Sequence, residues 1–288
     1  MFRSIQSNTR PGLHINEDVV WGQEDFLFVI DGATGLSNHL YMSLESDAHW
    51  FAAQTARLLC QLLPDKCLSI PAILHIAMEN IQNQWLGPES AMPTAGIAIW
   101  RCHNDSLELL NLGDCGASVE FTDGHIAVWQ ERNLTRLDTS VLDQMVLHCR
   151  ENGCTMEEAR RWVAPLLREN RALHNKPGGY WILDPSGVGI DHARTATLPL
   201  SECHSVCAYS DGFAQLCQFM PGWDEAVLHR MLLTHGVSEL MDFLYEKQEQ
   251  DKEMLFVPRF KLRDDTTAIA AQIKLQTAQR EGKGGGMV

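Results

Sequence analysis

Three aspartates stand where β-rich apolar runs meet a glycine or polar turn. They are Asp31 after Phe26–Ile30, Asp211 after Ser205–Tyr209, and Asp264 before Ala268–Ile273. Such runs indicate strands, and functional side chains often lie at strand ends. Hard divalent cations such as Mg²⁺ and Mn²⁺ prefer carboxylate and carbonyl oxygens, and a neighbouring glycine lets the backbone approach the ion. Three converging strand ends would therefore form a site for such ions, although for any one of these positions alone a plain turn is the more frequent explanation.

The elements that must position these aspartates follow from periodicity and turn signals. Further strands are predicted at Ala95–Trp100, Leu107–Leu112, Ala117–Phe121, His125–Trp129 and Tyr180–Leu183. Helices are predicted at Asp47–Leu63, Pro71–Leu86, Thr135–Arg150, Thr155–Leu173, Asp224–Thr234 and Ser238–Lys247. The four strands from Ala95 to Trp129 are separated by short turns and predict an antiparallel meander. Strands alternating with helix pairs indicate an α+β fold with helices packed on sheet faces.

Composition limits the possible functions. The 288 residues include 37 acidic and 23 basic side chains, a formal net charge of −14, which argues against nucleic-acid binding. No apolar run approaches the roughly 18 residues of a membrane span, and the polar N-terminus does not resemble a signal peptide, so a cytoplasmic protein without membrane contact is expected. Nine cysteines without a Cys-x-x-Cys pair favour reduced thiols.

No internal repeat or linker divides the chain. We therefore predict a single domain over residues 1–275, followed by a flexible glycine-rich tail over residues 276–288.

The order of the acidic motifs resembles that of the metal-dependent protein phosphatases, the type 2C serine/threonine phosphatases, and of their bacterial members in particular. The matching motifs are Asn16-Glu17-Asp18, Asp31-Gly32-Ala33-Thr34-Gly35, Pro93-Thr94-Ala95-Gly96, Gly113-Asp114-Cys115-Gly116-Ala117, Ser210-Asp211-Gly212 and Asp264-Asp265-Thr266-Thr267. Each motif is weak alone, but their common order extends from about Asn16 to Ile273. This resemblance implies a four-layer α-β-β-α sandwich, in which two antiparallel sheets pack together between helix pairs.

The resemblance also implies a role for each matching residue. Asp31, Asp211 and Asp264 would be the catalytic metal ligands, with Asp31 bridging two ions. The carbonyl of Gly32 would bind one ion, Glu17 and Asp18 would hold metal-bound waters, and Asp114 would help bind a third, weaker ion. The implied cofactors are two Mn²⁺ or Mg²⁺ ions.

The implied reaction is hydrolysis of phosphoserine or phosphothreonine in a protein phosphorylated by a cognate kinase. A water or hydroxide bridging two ions would attack phosphorus in line, without a covalent phosphoenzyme, while the ions neutralise the phosphoryl oxygens.

The sequence departs from the family pattern at three places. The family's phosphate-binding arginine is replaced by Leu13, which leaves Arg10 as a candidate to bind the substrate phosphate or as a merely solvated side chain. Ala33 stands where animal members have a histidine, and Cys115-Gly116 replaces the usual Ser-Arg.

Two cysteine motifs offer other chemistry. Cys154 and Arg160 have the Cys-x₅-Arg spacing of cysteine phosphatases, but Glu157 and Glu158 would repel both a thiolate and a phosphate, so a capped helix fits better. The cluster of Cys203, His204 and Cys207 could bind zinc, or could pack within a strand.

An alternative from another class is a catalytically weak phosphatase-like module that binds a phosphoprotein partner in signalling. The substitution at Leu13 favours it. Retention of Asp31, Asp211 and Asp264 favours the enzyme, because converging carboxylates repel one another without a cation.

Overall fold

The computed structural model describes residues 1–12, 14–33 and 39–274. The strands in this part of the chain are β1 (Phe2–Arg10), β2 (Val19–Gly22), β3 (Phe26–Ala33), β4 (Thr94–His103), β5 (Ser106–Leu112), β6 (Gly116–Phe121), β7 (Ile126–Trp129), β8 (Arg194–Pro199), β9 (Cys203–Tyr209) and β10 (Thr266–Ile273). The helices are α1 (Asp47–Leu62), α2 (Ile70–Gln82), α3 (Arg132–Asn152), α4 (Met156–Arg171), α5 (Asp211–Ala214), α6 (Leu216–Phe219), α7 (Glu225–His235) and α8 (Val237–Gln250). Leu13, Thr34, Gly35 and the predicted tail lie outside the described residues.

The strands form two five-stranded antiparallel sheets. One has the order β1-β10-β9-β6-β7 and the other the order β2-β3-β4-β5-β8. Apolar side chains from the facing surfaces, including Val29, Trp100, Val206 and Ile269, form a buried core between the sheets. Because strand side chains alternate between faces, each sheet also presents a second apolar surface outward.

Helices cover both outer surfaces. α1 and α2 pack on β3 and β4 through a cluster that includes Phe28, Phe51 and Ile73. The helices from α5 to α8 pack on β9 and β10 through Phe213, Leu240 and neighbouring side chains. The result is the predicted four-layer α-β-β-α sandwich, and the α+β fold class is confirmed.

The helices α3 and α4 form a separate hairpin with its own small core. It contains Val141, Met145, Val163 and, from a distant loop, Met254. α4 begins with a capping box, in which Thr155 accepts a hydrogen bond from the backbone of Glu158 and the Glu158 carboxylate accepts one from Thr155. This hairpin packs beside the sandwich and contributes residues to the site described below.

Several predicted elements differ from the structure. The predicted meander is wrong as a single unit, because β4 and β5 belong to one sheet and β6 and β7 to the other. Tyr180–Leu183 is not a strand, since Tyr180 and Leu183 make only isolated bridges, with His174 and Ala95. The edge strands β1, β2 and β8 were not predicted, because their polar or short sequences lack the apolar runs on which the prediction depended.

No helix in the described ranges is both long enough and apolar enough to cross a membrane.

The indole of Trp100 joins the two sheets by a buried hydrogen bond. Its Nε1 donates to the carbonyl oxygen of Cys207 at 3.0 Å. We predict that Trp100→Phe lowers the free energy of unfolding by about 1–3 kcal/mol, because it leaves a buried carbonyl without its partner. Urea denaturation measures the change. Trp162→Phe, at a half-exposed helix position, is the control and should change the free energy of unfolding by less than about 0.5 kcal/mol. Equal effects of the two substitutions would contradict a stabilising role of the Trp100 hydrogen bond.

Candidate metal centre

The antiparallel register brings five strand termini to one end of the sandwich. Asp31, near the end of β3, lies opposite Gly96 near the start of β4. Tyr209, at the end of β9, lies opposite Gly116 at the start of β6 and Ala268 near the start of β10. The acidic residues attached to these termini therefore share this end; they are Asp31, Asp114, Asp211 and Asp264.

Backbone contacts fix the segments that carry these acids. Ser210 is fully buried and is bonded twice to Thr267 at the start of β10. Its backbone N–H donates to the carbonyl of Thr267 at 2.9 Å, and its side-chain hydroxyl accepts from the Thr267 N–H at 2.9 Å. Asp211, the next residue, is thereby held beside the segment of Asp264. The backbone N–H of Asp211 also donates to the carboxylate of Asp31 at 3.3 Å, which links the two sheets at the site.

Asp265 joins the N-terminal acidic segment to the same centre. Its carboxylate accepts hydrogen bonds from the N–H groups of Gly12 and Glu17, each at 2.7 Å. The sequence motif suggested no separate role for this residue. Its position shows how Glu17 and Asp18, far away in sequence, are brought next to Asp264.

Two glycines allow these segments to approach closely. A Cβ atom at Gly32 would lie 2.5 Å from the carbonyl oxygen of Glu17, and a Cβ atom at Gly96 would overlap the Asp114 carboxylate. Side chains at either position would push an acidic segment away.

Asp31 and Asp211 repel each other and their acidic neighbours. Burial, followed by the charges of Asp18, Asp211 and Asp114, raises the pKa of Asp31 well above its ordinary value. Asp211 still contacts solvent, yet the surrounding protein and the charges of Asp264 and Asp114 raise its pKa to about 8. The folded protein therefore keeps protons here that the unfolded chain would release.

The hairpin adds a carboxylate that the sequence motifs did not reveal. Burial and the charge of Asp138, on α3, raise the pKa of Asp114 to about 6. The pKa of Asp138 is likewise raised to about 6, by burial and then by the charge of Asp211. Only the packing of α3 against the sandwich places Asp138 here, because no motif surrounds it in the sequence.

The residues present fit a hard divalent cation. Asp18 is 4% exposed, and neither of its carboxylate oxygens has a hydrogen-bond partner among residues 1–12, 14–33 and 39–274. The Thr267 hydroxyl is near enough to oppose the rise in the Asp18 pKa, which burial dominates, but it does not form a bond of ordinary geometry. One buried oxygen of Asp114 also lacks a partner in the described part of the chain. Buried carboxylates in this condition are costly, and oxygen-preferring cations would stabilise them.

The carboxylates do not already form a closed coordination shell. Within residues 1–12, 14–33 and 39–274, no group of three or more histidine, cysteine or acidic side chains is arranged to hold a metal ion. Glu17 accepts a short hydrogen bond from the Ser46 hydroxyl, which caps α1. The acidic side chains of the centre therefore lie close together, and the surrounding protein groups offset their mutual repulsion only in part.

Two basic side chains border this convergence. The Lys261 ammonium lies 2.5 Å from Oδ1 of Asp264. Burial would lower the pKa of Lys261, but the charges of Asp264 and Asp211 outweigh it and raise that pKa. The charge of Arg171, at the end of α4, opposes the raised pKa values of Asp114 and Asp138. Neither cation was identified from the sequence.

Arg10, the candidate phosphate ligand, is engaged elsewhere. Its guanidinium lies 2.6 Å from the Asp242 carboxylate and stacks over the Tyr245 ring at 5.6 Å. A role in phosphate binding would require it to leave both partners. Leu13 lies outside the described residues, and Ala33 ends β3.

The two cysteine motifs do not form sites. Cys154 precedes the capping box of α4, so the Cys-x₅-Arg segment is a helix start rather than a phosphate loop. Cys203 packs between the sheets, whereas Cys207 faces the helical layer and His204 is exposed. The zinc alternative is therefore not supported, because these side chains point in different directions.

Fold and site together define an α-β-β-α sandwich with an acidic centre at one end of its two sheets. No protein-family model matches the sequence, and no curated protein matches it.

Several solved structures that are similar to this chain are described as serine/threonine phosphatases. The Mycobacterium tuberculosis phosphatase PstP/Ppp is 16% identical with a TM-score of 0.56, and the match covers 96% of this chain and 100% of that one. The PstP catalytic domain in complex with two manganese ions is 16% identical with a TM-score of 0.50, over 95% and 99% of the two chains. Stp1 from Staphylococcus aureus is 14% identical with a TM-score of 0.54, over 96% of each chain. At these identities the likeness establishes the fold, and it agrees with the resemblance found in the sequence.

The raised pKa values predict how the metal-free protein responds to pH. Because the folded state binds protons that the unfolded chain has lost above pH 4, stability should fall as the pH rises from about 4 to 8. Asp211→Asn removes one titrating charge. With chelator present, this variant should therefore have a higher melting temperature than the wild type at pH 8, and its melting temperature should vary less with pH.

Melting curves from pH 5 to pH 8 measure this response. Asp143→Asn, at an exposed position on α3, is the matched control and should follow the wild type. A wild-type melting temperature that rises between pH 6 and pH 8 would contradict the expected repulsion.

Proposed function

We propose that this protein is a phosphoprotein phosphatase that depends on Mn²⁺ or Mg²⁺ and hydrolyses phosphoserine or phosphothreonine. The observation that carries the proposal is the convergence of Asp18, Asp31, Asp114, Asp211 and Asp264 at one end of the sandwich. Buried oxygens of Asp18 and Asp114 have no hydrogen-bond partner among the residues that the structure describes. The shared fold adds support, since one matched phosphatase is described with two manganese ions.

Each acidic residue has a distinct part in this proposal. Asp31, Asp211 and Asp264 would hold two divalent ions, together with the carbonyl oxygen of Gly32. Glu17 and Asp18 would orient coordinated waters, and Asp114 would contribute to a third, weaker site. Bound ions would supply Lewis-acid stabilisation of the phosphoryl oxygens and a water of lowered pKa.

The protein's own residues orient the carboxylates, and bound cations would keep these groups ionised as ligands. Asp265 and Ser210 fix the backbone that carries the acids, so little reorganisation accompanies the reaction. The charges of Asp18, Asp211, Asp114 and Asp264 all raise the pKa of Asp31, and a nearby cation would relieve this repulsion. Attack by water would require no covalent phosphoenzyme, which agrees with the absence of a phosphate loop at Cys154.

The overall charge bears on the substrate. At −14, the protein should associate slowly with an acidic phosphoprotein unless basic residues flank the phosphorylated side chain. We therefore propose substrates with a basic local sequence, modified by a cognate kinase in the same cytoplasmic compartment.

Hydrolysis of p-nitrophenyl phosphate and of a phosphothreonine peptide tests the function. We expect turnover by the wild type with Mn²⁺ and none with excess chelator. Asp31→Asn and Asp211→Asn should each lower kcat/KM by about 100-fold or more, because several kcal/mol of transition-state stabilisation would depend on the ions.

Asp143→Asn again provides the matched control and should retain full activity. Turnover that is unaffected by chelator, or equal in the Asp31 variant and the wild type, would refute the proposed mechanism. Binding of the phosphopeptide without any turnover would instead favour the phosphatase-like signalling module.

A further inference from the structure

A cation lies directly beside the acidic centre. The ammonium of Lys261 is 2.5 Å from Oδ1 of Asp264, and its charge also reaches Asp211. The Lys261 side chain is 42% exposed, whereas that of Asp264 is 26% exposed. The ammonium therefore contacts the centre on one side and solvent on the other.

Lys261 lies on a loop over residues 251–262, and the buried side chain of Arg259 holds this loop in place. Arg259 is 3% exposed, and its guanidinium donates to the Asp251 carboxylate at 2.7 Å and to the carbonyl oxygens of Asp251 and Val257, both at 2.8 Å. A further bond joins it to the carbonyl of Leu262 at 3.0 Å. Both ends of the loop are thus bound to one buried side chain.

The next residue connects the same loop to the helical hairpin. Phe260 packs against the hairpin core, which also includes Met254 from the start of the loop. Arg259 therefore contacts the interior of the loop, Phe260 contacts the hairpin, and Lys261 contacts the acidic centre. This arrangement fixes the direction in which Lys261 points.

Divalent ions in the centre would contact some oxygens of a phosphate group, and the oxygens that face away from the ions would still need hydrogen-bond donors beside the centre. Arg10 does not supply these donors here, because Asp242 and Tyr245 bind its guanidinium. An ammonium has three donors, and one bond to Asp264 leaves two for phosphate oxygens.

We propose that Lys261 binds the phosphate group of the substrate and positions it against the acidic centre. This inference rests on the proposed function and assigns its phosphate-binding residue. Arg259 is a positioning residue, since it acts only through the loop that presents Lys261.

Three variants test the proposal at saturating Mn²⁺. We expect Lys261→Ala to raise KM for a phosphothreonine peptide by about 10- to 100-fold, the range for loss of a charge-assisted hydrogen bond, with a smaller change in kcat. Lys261→Arg should restore most of the affinity. Lys252→Ala, which removes an exposed lysine on the same loop, is the matched control and should behave as wild type.

A second measurement does not depend on turnover. Inorganic phosphate should raise the melting temperature of the Mn²⁺-loaded wild type, and this stabilisation should be weakened in Lys261→Ala but kept in Lys252→Ala. If the wild type has no phosphatase activity, the proposed function fails, and this comparison still decides whether Lys261 binds phosphate.

Two results would overturn the inference while leaving the proposed function intact. One is an active Lys261→Ala variant with unchanged KM and unchanged stabilisation by phosphate. The other is a Lys261→Ala variant that binds Mn²⁺ more tightly in a direct titration with KM unaffected, which would make Lys261 a competitor of the metal for Asp264.

Discussion

The carboxylates at one end of the sandwich repel one another, and the surrounding segments must hold them in place against this repulsion. Asp18, Asp31, Asp211 and Asp264 come from segments far apart in sequence, and burial together with neighbouring charges raises the pKa of the first three. Such a cluster forms only if the scaffold holds it against its own repulsion or a cation relieves it. The charges of Lys261 and Arg171 offset part of this repulsion.

The scaffold resists this repulsion through hydrogen bonds close to the acids. Ser210 joins the end of β9 to the start of β10, and Asp265 binds the backbone at Gly12 and Glu17. Arg259 fixes the loop before Asp264 from within. None of these three side chains is a candidate metal ligand, yet each determines where a ligand lies, so their loss should disturb the centre without removing a carboxylate.

The sequence predicted those parts of the site that carry local signals. Asp31 and Asp211 follow apolar strands and precede glycines, so their strand-end positions were visible, and the α+β class followed from the alternation of elements. Asp138 and Lys261 were missed because only tertiary packing of the hairpin and of the 251–262 loop brings them to the centre. The sequence also did not reveal that β6 leaves the sheet of β4 and β5 and pairs with β9, since a short turn can lead to either sheet.

Anomalous diffraction from crystals soaked in Mn²⁺ would show whether these carboxylates hold divalent ions. We expect strong anomalous peaks in contact with the carboxylates of Asp31 and Asp211, and the loss of these peaks from the Asp31→Asn protein. Absence of any peak at this end of the sandwich in wild-type crystals, or peaks that persist unchanged in the variant, would show that the acidic centre is not a metal site.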